Sequence, residues 1–254
     1  MTDLFVIDQG TGMPIVWIHG FPLSSLIFEQ QLLMPGVRHL APDLPGFGES
    51  APAAIDSMED YAVALLSMLD EKGIGRAVLA GVSMGGYVVL SLVRRRPELA
   101  AGLILIDTKE GADGAEGRAN RFAQIDRVEA EGPGFFIGEM MPKMLTAPTL
   151  RLDDRRAEIV KQAMNRASAA GVQSALRAMA SRPDSSDVLR SFDRPVLVVV
   201  GREDVITPLP DANRMASLAP RSTLVEIPDA AHLSNVERPE VFNTSAAAFI
   251  ENLQ

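Results

Sequence analysis

The chain has 254 residues, 47% of them hydrophobic, enough for one sizeable core and pointing to a single core domain. It contains no cysteine, which excludes disulfides, thiolate metal sites and a cysteine nucleophile, and its three histidines leave little for an imidazole metal cluster. A net charge of −9 argues against nucleic-acid and anionic-membrane partners, both of which need a basic footprint.

The first stretch, MTDLFVIDQGTGMPIVWIHG, shows no basic leader ahead of an apolar run, and no later stretch is long enough to span a bilayer. The expectation is a soluble, cytoplasmic protein whose partner is a small molecule. A carboxylate-only Mg or Ca site stays open in principle, but no metal and no cofactor are expected.

In chain order, PIVWIHG reads as the first strand, leading into a loop, WIHGFPLS, in which Gly20 lets backbone come close and Phe21 offers a free amide. RHLAPDLPG is the next. His39 lies inside it and reads as a core or edge histidine, while Asp43 can hold neighbouring amides in the tight loop that Gly46 and Gly48 permit. SMED, with an acid three residues after Ser57, opens a helix over about 57–72 in a capping-box arrangement. RAVLAGVS is a third strand and hands over to a helix over about 84–96, whose last turn, RRRP, suits the negative end of the helix dipole and is stopped by Pro97. That arginine run reads as a solvated face, not a nucleic-acid patch.

AGLILID follows as a strand, and then the strand pattern lapses over residues 110–190. This segment is helical, rich in Ala, Arg and Met, and broken at EGPG. It carries an apolar, Met-rich patch, Phe135, Phe136, Met140, Met141 and Met144, that suits a pocket wall or a join between small helices. Arg118, Arg121 and Arg127 read as solvated, with binding of a substrate carboxylate as the alternative. SRPDSSD is the hinge back to RPVLVVVG and STLVEIP, the last two strands, and SNVE suits a capping box before the final helix. Continuous apolar runs such as VLVVV indicate strands buried on both faces, hence an α/β fold with a mostly parallel sheet covered by helices. The expected partition is a core of 1–109 and 191–254 interrupted by a helical lid of 110–190.

GVSMGG places Gly81, Ser83 and Gly85 in a G-x-S-x-G spacing between a buried strand and a helix, the setting of a nucleophile elbow. A serine hydroxyl needs a base, and the base an orienting acid. His232, between the last strand and the final helix, is the natural base. Asp204, three residues past Gly201, is the preferred acid, with Asp107 at the end of LILID and Glu203 as rivals. The amides of Met84 and Phe21 are the candidate oxyanion donors, and His19 reads as a brace for its loop.

Together, HGFP, DLPGFGES, GVSMGG, GREDVITP and AAHLSNVERPE, in this order, resemble the α/β-hydrolase superfamily from end to end. The resemblance implies a sheet of about eight strands with a helical lid inserted after the sixth, a nucleophile at Ser83, an acid at Asp204, a base at His232 and oxyanion amides at Phe21 and Met84. The C-terminal motifs look like 3-oxoadipate enol-lactonases, and HGFPLS like cofactor-free haloperoxidases and arylesterases. Hydrolysis of an ester or lactone through an acyl-serine is the expected activity. Hydrolytic carbon–carbon cleavage, perhydrolysis as a side activity, and a triad-retaining ligand receptor are the alternatives.

Overall fold

The computed structural model describes residues 3–151 and 154–253. Residues 1, 2 and 254, at the ends of the expected core segments, and 152 and 153, within the expected lid, lie outside the described residues. Seven strands form one sheet in these bounds: β1 (Val6–Gly10), β2 (Met13–Ile18), β3 (Val37–Pro42), β4 (Ala77–Val82), β5 (Ala100–Ile106), β6 (Val196–Gly201) and β7 (Ser222–Ile227). Their spatial order is β1-β3-β2-β4-β5-β6-β7. Only β1 runs antiparallel to its neighbour, in a register that opposes Val6 to Pro42 and Gly10 to Arg38.

The interior strands follow directly from their residues. Every residue of β4, β5 and β6 is buried, as expected of parallel strands covered on both faces. The edge strands are half-exposed and more polar, and β1, VIDQG, has too short an apolar pattern to stand out in the sequence. Its partner is supplied by the fold: it borrows the ladder of β3 along one edge.

Two expectations need correction. The sheet has seven strands among the described residues, not eight, and the helical insertion follows the fifth strand, not the sixth.

The helices begin with α1 (Met58–Glu71), opened by the capping box read from SMED. The Asp60 amide donates to the Ser57 hydroxyl at 3.1 Å, and the Ser57 amide to the Asp60 carboxylate at 2.9 Å. Next, α2 (Met84–Arg95) follows β4 directly and ends at the arginines, with Arg94 and Arg96 engaged by Asp187 and Asp70. Among the described residues six helices separate β5 from β6: α3 (Ala115–Glu131), α4 (Phe135–Met144), α5 (Ala147–Arg151), α6 (Arg155–Asn165), α7 (Ala169–Ser181) and α8 (Ser186–Ser191). The longest pairing among them sets α3 along α7. After β6 come α9 (Leu209–Leu218), the single turn α10 (Ser234–Glu237) and α11 (Pro239–Glu251).

The expected capping box at SNVE does not form: the residue before α10 is Leu233, with no side-chain cap. Ser234 and Glu237 instead send their side chains to distant partners, Asp107 and the α4–α5 junction. A single turn exposes few orphan amides worth capping, so buried acceptors and donors elsewhere compete successfully for both groups.

Candidate active site

In the parallel run β2-β4-β5-β6-β7, the loops beyond β2, β4, β6 and β7 carry Phe21, Ser83, Asp204 and His232. This carboxyl edge is where open α/β sheets bind ligands. Ser83 occupies the turn from β4 to α2 with φ 53° and ψ −117°, a conformation that costs about 1–3 kcal/mol for a residue other than glycine. Three bonds hold it there. Its amide donates to Ile106 O at 2.9 Å, and its carbonyl accepts the Gly86 amide at 2.9 Å and the Thr108 hydroxyl at 2.7 Å. The flanking glycines serve close approach: a Cβ on Gly81 would lie 2.4 Å from the Gly85 carbonyl carbon, and one on Gly85 would lie 2.1 Å from Ile18 O. Any side chain at either position drives helix and strand apart and displaces the hydroxyl.

His232 is buried, with Nε2 2.8 Å from the half-buried Ser83 Oγ and Nδ1 2.8 Å from Asp204 Oδ2. Because an ionised carboxylate only accepts, Nδ1 carries the proton toward Asp204, and Nε2 is left to accept from the serine hydroxyl. Asp204 is held in turn. Its Oδ1 accepts the amides of Ile206 at 2.8 Å and Thr207 at 3.1 Å, and its Oδ2 also accepts the Thr207 hydroxyl at 2.8 Å. Burial raises the pKa of this carboxyl, but the His232 bond and charge and the Thr207 donors outweigh it, leaving the group below its ordinary value.

The rivals for the acid sit elsewhere. Glu203 is exposed. Asp107 is fully buried at the end of β5, where Oδ1 accepts the Gly201 amide at 2.8 Å and Oδ2 accepts the Ser234 amide at 2.9 Å and hydroxyl at 2.6 Å. It thus ties the strand that leads to Asp204 to the loop that carries His232. Burial and then the neighbouring Asp204 charge push its carboxyl up to about 7, against the opposing pull of His232 and the Ser234 donors.

This shift has a measurable sign. A carboxyl raised on folding stabilises the native state fully below its unfolded pKa near 3.8, and the contribution is lost as pH rises through about 7. Asp107→Asn removes that titration. Thermal melts from pH 4 to 7 are expected to show the wild type losing more stability with rising pH than the variant, and parallel curves would contradict the assignment.

The other histidines are occupied as braces. His19 Nδ1 donates to Gly20 O at 2.9 Å while Nε2 accepts the Leu44 amide at 2.9 Å, and burial holds its pKa down. His39 accepts from the Trp17 indole at 3.1 Å and donates to Met34 O at 2.9 Å. Asp43 takes the amides of Ser25 and Glu49 at 2.7 and 2.8 Å, which fastens the loop after β3 to the loop after β2.

The amides of Phe21 and Met84 have no hydrogen-bond acceptor among the described residues. Met84 is the first residue of α2, so its amide lies at the positive end of that helix. Gly20 brings the Phe21 loop alongside: a Cβ there would stand 3.1 Å from the Ser83 Cβ.

The five apolar residues expected to line a pocket divide. Phe136 is buried with its ring centroid 5.1 Å from that of Phe21, and with Met140 it walls a cavity of about 220 Å³ that also meets Phe21, Ile206, Arg121 and Lys143. Met141 faces a different cavity, beside Leu26 and Leu150. Phe135 stacks on Phe136 at 4.3 Å and lies beneath the Arg127 guanidinium, and Met144 is buried at the end of α4, so neither belongs to the cavity wall. The helical period sets Phe135 and Met141 to either side of the stripe that carries Phe136 and Met140, while Met144, on that same stripe, is buried at the end of the helix. Of the three arginines, only Arg121 reaches the wall, where Asp113 bonds its Nε at 3.2 Å. Thr207, Ile206 and Thr108 were not anticipated, although Thr207, three residues past an aspartate in a loop, carries a recognisable turn signal. Among the described residues no cluster of acidic and histidine side chains could hold a metal, and no helix is long and apolar enough to cross a membrane.

A strained serine between a parallel strand and a helix, bonded to a histidine that is bonded to an aspartate in the chain order Ser, Asp, His, is the α/β-hydrolase arrangement. The family model described as alpha/beta hydrolase matches residues 15–245, and the chain belongs to this family. Its structure superposes on a thermophilic esterase from Thermogutta terrifontis, solved with malate bound, with a TM-score of 0.95 and 38% identity, covering 98% of this chain and 93% of that one. A protein named as the dihydrolipoyllysine-residue acetyltransferase component of an acetoin cleaving system, from Pseudomonas putida, is 30% identical across 94% of this chain, which spans 64% of that protein's length. A protein named as the non-heme bromoperoxidase BpoC, from Mycobacterium tuberculosis, is 26% identical, with both chains covered in full.

Proposed function

We propose that the protein hydrolyses carboxylic esters or lactones of small molecules through an acyl-serine intermediate. The observation that carries this reading is the relay from Ser83 Oγ to His232 Nε2 and from His232 Nδ1 to Asp204 Oδ2, 2.8 Å at each step. As Ser83 Oγ attacks the carbonyl carbon, its proton passes to His232 Nε2, and Asp204 stabilises the imidazolium that forms. The carbonyl oxygen becomes an anion facing the amides of Phe21 and Met84, donors worth about 3–4 kcal/mol each in comparable sites. Collapse expels the alcohol, which leaves with the proton from His232, or stays tethered when the substrate is a lactone. Water then gives a proton to His232 and its oxygen to the acyl carbon, and as the acyl–Oγ bond breaks His232 returns that proton to Ser83, releasing a carboxylic acid and restoring the serine.

We take residues 110–190 as the lid over this chemistry, and the cavity that Phe136 and Met140 wall beside Phe21 as the acyl-binding space. A volume of about 220 Å³ is small for a ligand site and favours short acyl groups. We expect kcat/KM for p-nitrophenyl butyrate to exceed that for the decanoate at least about tenfold. The mechanism is tested by treating the purified protein with a fluorophosphonate and mapping the adduct by mass spectrometry. A single adduct on Ser83, together with a burst of p-nitrophenol in rapid mixing, is the expected result. Ester turnover with an unmodified Ser83 would overturn it.

A further inference from the structure

Glu237 is a carboxylate 1% exposed, on the single turn of α10 just after the base. Its oxygens are filled entirely by neutral donors. Oε1 accepts the Thr146 amide at 2.9 Å, the Thr146 hydroxyl at 2.7 Å and the Thr149 hydroxyl at 2.6 Å, and Oε2 accepts the Ala231 amide at 2.7 Å. Among the described residues no lysine or arginine pairs with this carboxylate, and Arg156 spends its guanidinium on Asp154 and on the Glu237 carbonyl.

These contacts connect two parts of the site. Thr146 and Thr149 lie at the α4–α5 junction of the lid, and Ala231 immediately precedes His232. A further bond in the same place runs from the Leu233 amide to Met144 O at 3.2 Å, so the residues on both sides of His232 are fastened to the lid. Beyond them, the Ser234 amide is fixed by Asp107. A buried carboxylate whose charge is met only by oriented N–H and O–H groups makes a stiff joint, because losing any one donor leaves a desolvated lone pair on a charged group.

We infer that Glu237 is a positioning residue for the reaction, coupling the lid junction at Thr146 and Thr149 to the backbone that aims His232 at Ser83. This inference rests on the acyl-serine reading above. It assigns to the lid a second role besides walling the cavity: the lid sets the alignment of the base.

Glu237→Gln tests it. The amide oxygen satisfies the three lid donors, which turns the new NH2 toward the Ala231 amide, donor against donor, and releases the base loop. For p-nitrophenyl butyrate we expect kcat to fall about 10- to 100-fold while KM stays within about twofold, the cost of a misaligned base in a site that still binds substrate. The rate of fluorophosphonate labelling at Ser83 should fall in parallel. Thr149→Val, nearly isosteric and remote from substrate, removes one donor from the lid side and should lower kcat about 2- to 5-fold, again with KM unchanged. Folded fraction is read from near-UV circular dichroism and thermal melts. Folded Glu237→Gln at wild-type kcat and labelling rate would overturn the inference. Should Glu237→Gln not fold, Thr149→Val at wild-type kcat would do the same. If instead the wild type itself is not labelled at Ser83, the acyl-serine reading fails and the inference falls with it, a result that needs neither variant.

Discussion

Ser83→Ala is expected to lower kcat for p-nitrophenyl butyrate about 10⁵-fold or more and to abolish fluorophosphonate labelling, with the fold intact. The magnitude follows from what the hydroxyl does: without Oγ no covalent intermediate forms, and only binding and the oxyanion amides remain to help water attack. The fold survives because alanine keeps the same Cβ in the same strained turn, and the three bonds that hold Ser83 all run through its backbone. Ser83 is half-buried, so water can replace its bond to His232 at little cost. Steady-state turnover and melting temperature, measured on the same preparation, separate the two effects. Activity within about tenfold of wild type would rule out Ser83 as nucleophile.

Asp204→Asn should cost about 10⁴-fold in kcat, for a different reason. Oδ1 receives two backbone amides, from Ile206 and Thr207, and these will hold the amide oxygen of asparagine in its place. The new NH2 then occupies the position of Oδ2 and points a donor at His232 Nδ1, which must give up its proton to accept. The imidazole is thereby driven into the tautomer whose Nε2 carries hydrogen and cannot take the serine proton. The Thr207 hydroxyl, 2.8 Å from Oδ2 and 3.3 Å from Nδ1, can turn to accept from the new amide, so binding and stability should change little. The signature is a large loss in kcat with KM nearly constant. Asp107→Asn is the control: it leaves Asp204 on His232, and a loss as large as that of Asp204→Asn would move the acid to β5.

How the site was readable depended on how local its determinants are. The elbow is encoded within a few residues, because Gly81, Ser83 and Gly85 must all be present for a strand and helix to meet around a raised hydroxyl. The capping box of α1 is local in the same way. SNVE carries the same local signal as SMED, yet its serine and glutamate go to Asp107 and Thr146, more than ninety positions away in each case. Side chains near a chain reversal have several partners within reach, and burial of the competing acceptors decides among them. Strand β1 escaped notice because an edge strand needs a neighbour's free ladder more than an apolar run.

The helical insertion shows the same division. Its helical character and its apolar patch were plain, but which of Phe135, Phe136, Met140, Met141 and Met144 face the cavity depends on how α4 is rotated against Phe21. The stabilisation from burying an apolar group is similar on any face of the helix, so composition leaves that rotation open.

From the sequence alone came the α/β architecture and the choice of Ser83, Asp204 and His232 as candidates, because buried parallel strands and a strained turn each demand a narrow set of residues within a short span. Tertiary structure alone decided the strand count, the occupants of the cavity wall and the posts that Asp107 and Glu237 give the base loop. Those depend on buried polar groups finding partners across the whole chain, and a carboxylate in the interior takes whichever donors the packing delivers to it.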